Sequence, residues 1–138
     1  MSFSENLQRG KLREMQVRQL FDEAGIFTVA SVGRNPAYDL LIRATLELKS
    51  DDAAIRTQHL FVETASHGQP SGINLSQATT QGFVVGNRLF LFSTERLKVI
   101  LPELEKRIVP DGQKEGRILP IHSLSSIPHQ RFLLGGLK

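Results

Sequence analysis

The chain has 138 residues, 40% of them apolar, a formal net charge of +3 and a pI near 9.6. That is one domain with a single core, and a mild basic excess that allows nucleic-acid binding without establishing it. There is no cysteine, which excludes disulfides, cysteine-based zinc sites and thiol nucleophiles together. No run approaches about 18 apolar residues, and the N-terminus lacks the basic, apolar and small-residue order of a secretory signal; the expectation is a cytoplasmic protein with no membrane partner.

The pattern predicts a helix over 4–25. Ser4 is its expected N-cap, Val17, Leu20, Phe21 and Ala24 recur at i, i+3, i+4 and i+7, and Gly25 is the stop. Arg9, Lys11, Arg13 and Arg18 lie on the other face, and Glu14 stands at i, i+4 spacing from Arg18, the ordinary arrangement of a solvent-facing pair. A short strand follows over 26–32, then the loop Gly33-Arg-Asn-Pro36, where Arg34 could touch a phosphate. Asp39 begins the next apolar run, Leu40, Leu41 and Ile42.

Period-2 alternation then puts Leu46 and Leu48 on one strand face and Thr45, Glu47 and Lys49 on the other. Glu47 and Lys49 emerge together, roughly 6–7 Å apart by strand rise. In solvent such a pair stabilises little. Were 38–49 one extended strand, Asp39 and Glu47 would lie roughly 26 Å apart and could not share a metal. A shared metal requires a tight turn near Arg43 or Ala44.

A polar connection, 50–57, leads to a strand over 59–65, after which Gly68, Ser71 and Gly72 turn the chain or let its backbone approach a phosphate. His59 and His67 have no cysteine or further histidine at ligand spacing, and their default place is the surface. A helix is expected over 73–81, and a hairpin over 83–92 turning at Gly86-Asn87. Another helix is expected over 94–107, capped by Ser93 or Thr94, burying Leu97, Ile100, Leu101 and Leu104, and bent or broken at Pro102. A polar loop over 112–116, a strand over 117–121 and a tail over 122–138 with apolar Phe132, Leu133 and Leu134 complete the chain. From Arg96 onward eight bases face four acids, a second basic region suited to phosphate contact.

Pro36 and Asp39 before one strand, with Glu47-Leu-Lys49 in the next, resemble the PD-(D/E)XK nuclease superfamily. Gly10-Lys-Leu-Arg-Glu14 is similar to the opening helix of archaeal-type Holliday-junction resolvases and related phage nucleases. A strand ending in Glu63, followed by Gly68-Gln-Pro-Ser-Gly-Ile73, fits the same group, and the resemblance covers about 10–101. It implies that Asp39, Glu47 and Glu14 hold Mg²⁺, with Mn²⁺ as a substitute. Lys49 would orient and activate the attacking water and offset phosphate charge, and Glu63 would ligate metal or water at the site edge. The chemistry agrees, since Mg²⁺ takes one or two carboxylates with water and phosphate and serves as Lewis acid and hydroxide source, while lysine adds a point charge.

The implied fold is α/β, a restriction-endonuclease-like core with a central mixed β-sheet flanked by helices, as a single nuclease domain over 1–138. The implied function is a Mg²⁺-dependent, structure-selective DNA endonuclease working as a homodimer in a bacterial, archaeal or phage-infected cell. Arg9, Lys11, Arg13, Arg34, Ser71 and Gly72 are the candidate DNA contacts. The chain departs from the family pattern in its short Asp39–Glu47 connection. A sequence- or damage-directed nuclease of the same fold, and a nucleic-acid-binding module without cleavage, stay open.

Overall fold

The computed structural model describes residues 2–30, 40–110 and 113–135. The first helix, α1, spans Phe3–Glu23 and is capped by Ser2 instead of Ser4. The Ser2 hydroxyl accepts from the Glu5 amide at 3.2 Å, and the Glu5 carboxylate accepts from the Ser2 amide at 2.7 Å, a reciprocal capping box. The Ser2 backbone bond first, and its hydroxyl second, hold the Glu5 carboxyl below its ordinary pKa.

No α1 residue is buried, and Val17 and Leu20 of the expected core face are 40% and 50% exposed. Burial begins only past the helix end, at Ala24 and Gly25. Gly25 has φ +77°, and a Cβ there would run into the Thr79 carbonyl, so the C-terminal stop is also the contact that seats α1 on the body. Arg96 meets Asp22 at 2.6 Å, and the Thr80 hydroxyl donates to the Ala24 carbonyl at 2.7 Å.

Strands β1, Phe27–Ala30, and β2, Leu40–Arg43, pair antiparallel as their own two-stranded sheet. The chain leaves that ladder at Arg43 and resumes as β3, Leu46–Ser50, in a different sheet. The interruption at Ala44 and Thr45 means that 40–49 is not one strand. A short helix absent from the sequence expectation, α2, covers Ala53–Thr57.

Then come β4, His59–Ser66, and β5, Gln69–Pro70, joined at His67 and Gly68. Both turn residues have positive φ, 53° and 77°, as a two-residue type I′ hairpin turn demands. A 3-10 turn, Gly72–Asn74, replaces the expected helix over 73–81. Reciprocal Thr45–Thr79 bonds and the Thr80 bond to Ala24 pull the second half of that stretch into extended β6, Thr80–Val85.

The Gly86-Asn87 hairpin forms as read, leading to β7, Arg88–Ser93. Helix α3, Thr94–Ile100, is capped by Ser93 and gives way to a 3-10 turn, Leu101–Glu103, containing Pro102. Residues expected to continue that helix form β8, Glu105–Val109. Strand β9, Lys114–Pro120, begins inside the stretch expected to be a loop. A 3-10 segment, Ile121–Ser126, and β10, Gln130–Leu133, make up most of the described tail, with β10 added along β7.

Among the described residues the larger sheets run β10-β7-β6-β3, where β3 is parallel to β6 and the rest antiparallel, and β5-β4-β9-β8, all antiparallel. The fold is therefore α/β, with one mixed sheet beside an antiparallel one where a single central sheet was expected. The core gathers Leu60 and Val62 from β4, Phe83 and Val85 from β6, Phe90 and Phe92 from β7, Leu97 from α3, and Leu119, Ile121 and Leu124. No helix among the described residues is long and apolar enough to cross a membrane.

Leu60 is fully buried at the centre of this cluster. Leu60→Ala is expected to lower stability by about 2–5 kcal/mol, read in urea as a lower midpoint with an unchanged slope.

Candidate functional site

Strand β3 keeps its predicted alternation, and the structure assigns the faces. Leu46 and Leu48 are 52% and 56% exposed, whereas Glu47 and Lys49 are half-buried. Pairing sets Glu47 beside Gln81 and Lys49 beside Phe83, both buried. The leucines can stay outside because Gly82 lies across from them; a Cβ there would come within 2.9 Å of Leu48 and 3.1 Å of Leu46.

Lys49 opens onto a cleft of about 230 Å³ that it lines with Ser50, Asp51, Phe61, Glu63, Phe83 and Lys114. Asp51 joins the two larger sheets here. Its amide donates to the Val84 carbonyl at 2.9 Å, Oδ2 accepts from the Phe61 amide at 3.0 Å, and Oδ1 accepts from the Ala54 amide at 3.2 Å. One carboxylate thus ties the end of β3 to the start of β4 and begins α2. An aspartate just before Asp52-Ala-Ala-Ile is a helix-start signal, the sequence feature that could have singled out Asp51.

Glu63 is largely enclosed, its side chain 18% exposed. Ser71 donates its hydroxyl to Glu63 Oε2 at 2.8 Å, and Lys114 reaches Oε1 at 3.6 Å. Gly72, at φ +55°, packs so closely that any Cβ would strike the Glu63 carbonyl. The Ser71 amide and the Asn74 side chain both donate to the Thr64 carbonyl at 3.0 Å, and Ile73 is buried. The Pro-Ser-Gly-Ile segment is therefore clamped on Glu63, with Gly72 spent on that approach.

Other sequence candidates are dispersed. Glu14 is half-buried on α1 and, among the described residues, is not ion-paired with Arg18, whose Nε donates to Thr28 at 3.1 Å. Arg9, Lys11 and Arg13 are exposed on the same helix. Asp39 and Arg34 lie outside the described residues, as does the loop Gly33–Pro36. Glu47 is not among the residues lining the Lys49 cleft. Among the described residues no group of three histidines, aspartates or glutamates is placed to hold a metal ion, so Glu14, Glu47 and Glu63 do not form a ligand set by themselves. His67 is an exposed turn residue and His59 a half-buried strand residue.

Compared with family models, curated proteins and solved structures, the chain matches none. The candidate site stands on its geometry: an inward carboxylate and lysine on β3, a clamped carboxylate on β4, and a cleft open to solvent.

Gly72→Ala is expected to cost about 1–3 kcal/mol from left-handed backbone strain alone, and to push the Ser71 hydroxyl off Glu63. Denaturant unfolding reads the first effect, and the Ser71–Glu63 separation in a crystal structure of the variant reads the second.

Proposed function

We propose that the chain is a metal-dependent DNA endonuclease with a restriction-endonuclease-like arrangement, in the neighbourhood of Holliday-junction resolvases. The observation that carries this reading is the inward orientation of Glu47 and Lys49. A solvated strand face would turn a polar pair outward and its leucines inward; β3 does the reverse, and Lys49 lines a cleft with Glu63. Keeping a carboxylate and an ammonium half out of water costs free energy that structure alone does not need.

The donor chemistry fits Mg²⁺ if Asp39 joins Glu47, since one or two carboxylates are its usual protein share. When bound, the ion would supply Lewis acidity and an activated water. Lys49 holds a fixed positive charge where a scissile phosphate would gain negative charge, and a preorganised charge is worth more there than in bulk water. Glu63 would orient water at the cleft edge, its own geometry held by Ser71. Arg9, Lys11 and Arg13 on α1, and the basic stretch from Arg96 onward, would meet the DNA backbone.

A second reading, a nucleic-acid-binding module without cleavage, draws on the dispersal of Glu14, Glu47 and Glu63. Cleavage assays separate the two. Incubated with junction, duplex and single-stranded DNA, the protein should cut in Mg²⁺ or Mn²⁺ and be silent in EDTA. Asp39→Ala and Glu47→Ala should abolish cutting while binding survives, and Lys49→Ala should slow it about 10²–10³-fold. Full activity of Glu47→Ala, or cutting undiminished by EDTA, overturns the nuclease reading.

Paired incision of a four-way junction needs two sites, and two-fold closure is the commonest way to supply them; the working unit is proposed to be a homodimer. Strand β10 is one of the two edge strands of its sheet among the described residues, with Phe132 50% and Leu133 80% exposed. Sedimentation at micromolar concentration should give a dimer, and Leu133→Asp a monomer. A monomeric wild type would leave a single-strand nicking enzyme, and a dimeric mutant would move the interface elsewhere.

A further inference from the structure

Lys114 enters the cleft from a part of the chain that no motif marks. Along β9 it lies two residues from Gly116, on the same strand face, and Gly116 pairs with Glu63. Gly116 is buried, and a Cβ there would come within 2.6 Å of the Phe61 ring. The missing side chain thus lets Phe61, Glu63 and Lys114 share one face. At the strand end, the His67 amide donates to the Gln113 carbonyl at 3.1 Å, tying the β4–β5 turn to the start of β9. Lys114 therefore sits on a braced rim.

Its present contact leaves its charge largely unspent. The side chain is 54% exposed, and its 3.6 Å approach to Glu63 exceeds ordinary charge-assisted hydrogen-bond length. Ser71 already bonds the other Glu63 oxygen, and both Asp51 oxygens are engaged by backbone amides. An ammonium carries three donors. The cleft therefore presents Lys49 from β3 and Lys114 from β9, with its two carboxylates tied back by protein donors.

We propose that Lys114 is a second phosphate-binding lysine of this cleft, engaging a backbone phosphodiester next to the one that Lys49 faces. The assignment rests on the nuclease reading and adds to it a contact on the far wall. On this view the loose pair with Glu63 parks Lys114 at the rim, and an arriving phosphate takes over its donors.

The test is anisotropy of a fluorescein-labelled DNA duplex titrated with the full chain in EDTA, between 50 and 200 mM salt, for wild type, Lys114→Gln and Lys114→Arg. Losing one phosphate contact should make the slope of log affinity against log salt shallower by about 0.9, so that Lys114→Gln loses roughly threefold less affinity over that range than wild type. It should also bind more weakly at 50 mM, and Lys114→Arg should keep the wild-type slope. A wild type that does not bind DNA overturns the nuclease reading and this assignment with it. A wild type that binds, with an unchanged slope in Lys114→Gln, overturns the assignment alone. So does a slope lost equally in Lys114→Arg, which would assign the effect to shape instead of charge.

Discussion

The two larger sheets are held in register with each other by Asp51. It closes β3 by donating to Val84, and its carboxylate accepts from the β4 backbone at Phe61 while also taking the Ala54 amide. Hydrogen bonds to a charged group contribute about 1.5–3 kcal/mol each when half-buried partners replace water. Their larger effect is geometric. Lys49 lies two residues before Asp51, and Glu63 two residues after Phe61, so the same carboxylate sets the distance across the cleft. Rotation of one sheet against the other would open or close the space between the lysine and the glutamate without disturbing either strand.

Glu63, which lines that space, and Glu47, on the Lys49 face of β3 but outside the lining, differ in their partners. Glu63 has one oxygen bonded to Ser71 and the other 3.6 Å from Lys114, so Ser71 fixes its direction while most of its lone pairs stay open. Glu47 stands beside buried Gln81, whose amide nitrogen is engaged by Ser76 and Thr94 at 2.9 and 3.1 Å. A carboxylate fixed by protein donors suits the holding of a water, and one with unspent lone pairs suits coordination.

Much of the fold was legible from period and punctuation. Gly86-Asn87 marked a hairpin, Pro102 ended α3, and alternation separated Glu47 and Lys49 from Leu46 and Leu48. Alternation has no sign, however. The room for the leucines on the outer face comes from the missing side chain of Gly82, on a strand far along the sequence. Residues 73–81 failed as a helix because long-range bonds at Thr79 and Thr80 outweighed local preference. The apolar stripe of α1 was real in sequence, yet little of the body lies beneath it. Nothing in the local sequence separates Lys114 from any other loop lysine, since its place depends on β9 pairing with β4. Asp39 and Arg34 belong to the candidate site by sequence pattern alone.

Sequence separation also ranks the strands by what it costs to bring them together. Strand β7 reaches β6 across two residues, whereas the clasp beside β3 joins Thr45 and Thr79 across 34. Loop-closure entropy grows only logarithmically, about 0.6 kcal/mol per doubling of length, but the whole of it falls due before a parallel ladder returns any hydrogen bond. The hairpin is local and fast, whereas β3 meets β6 across 34 residues at Leu46–Thr80 and β10 meets β7 across 39 at Gln130–Leu91. Completion of the Lys49 cleft therefore waits on a long-range step: a chain with β6 and β7 already paired still has no cleft until β3 docks.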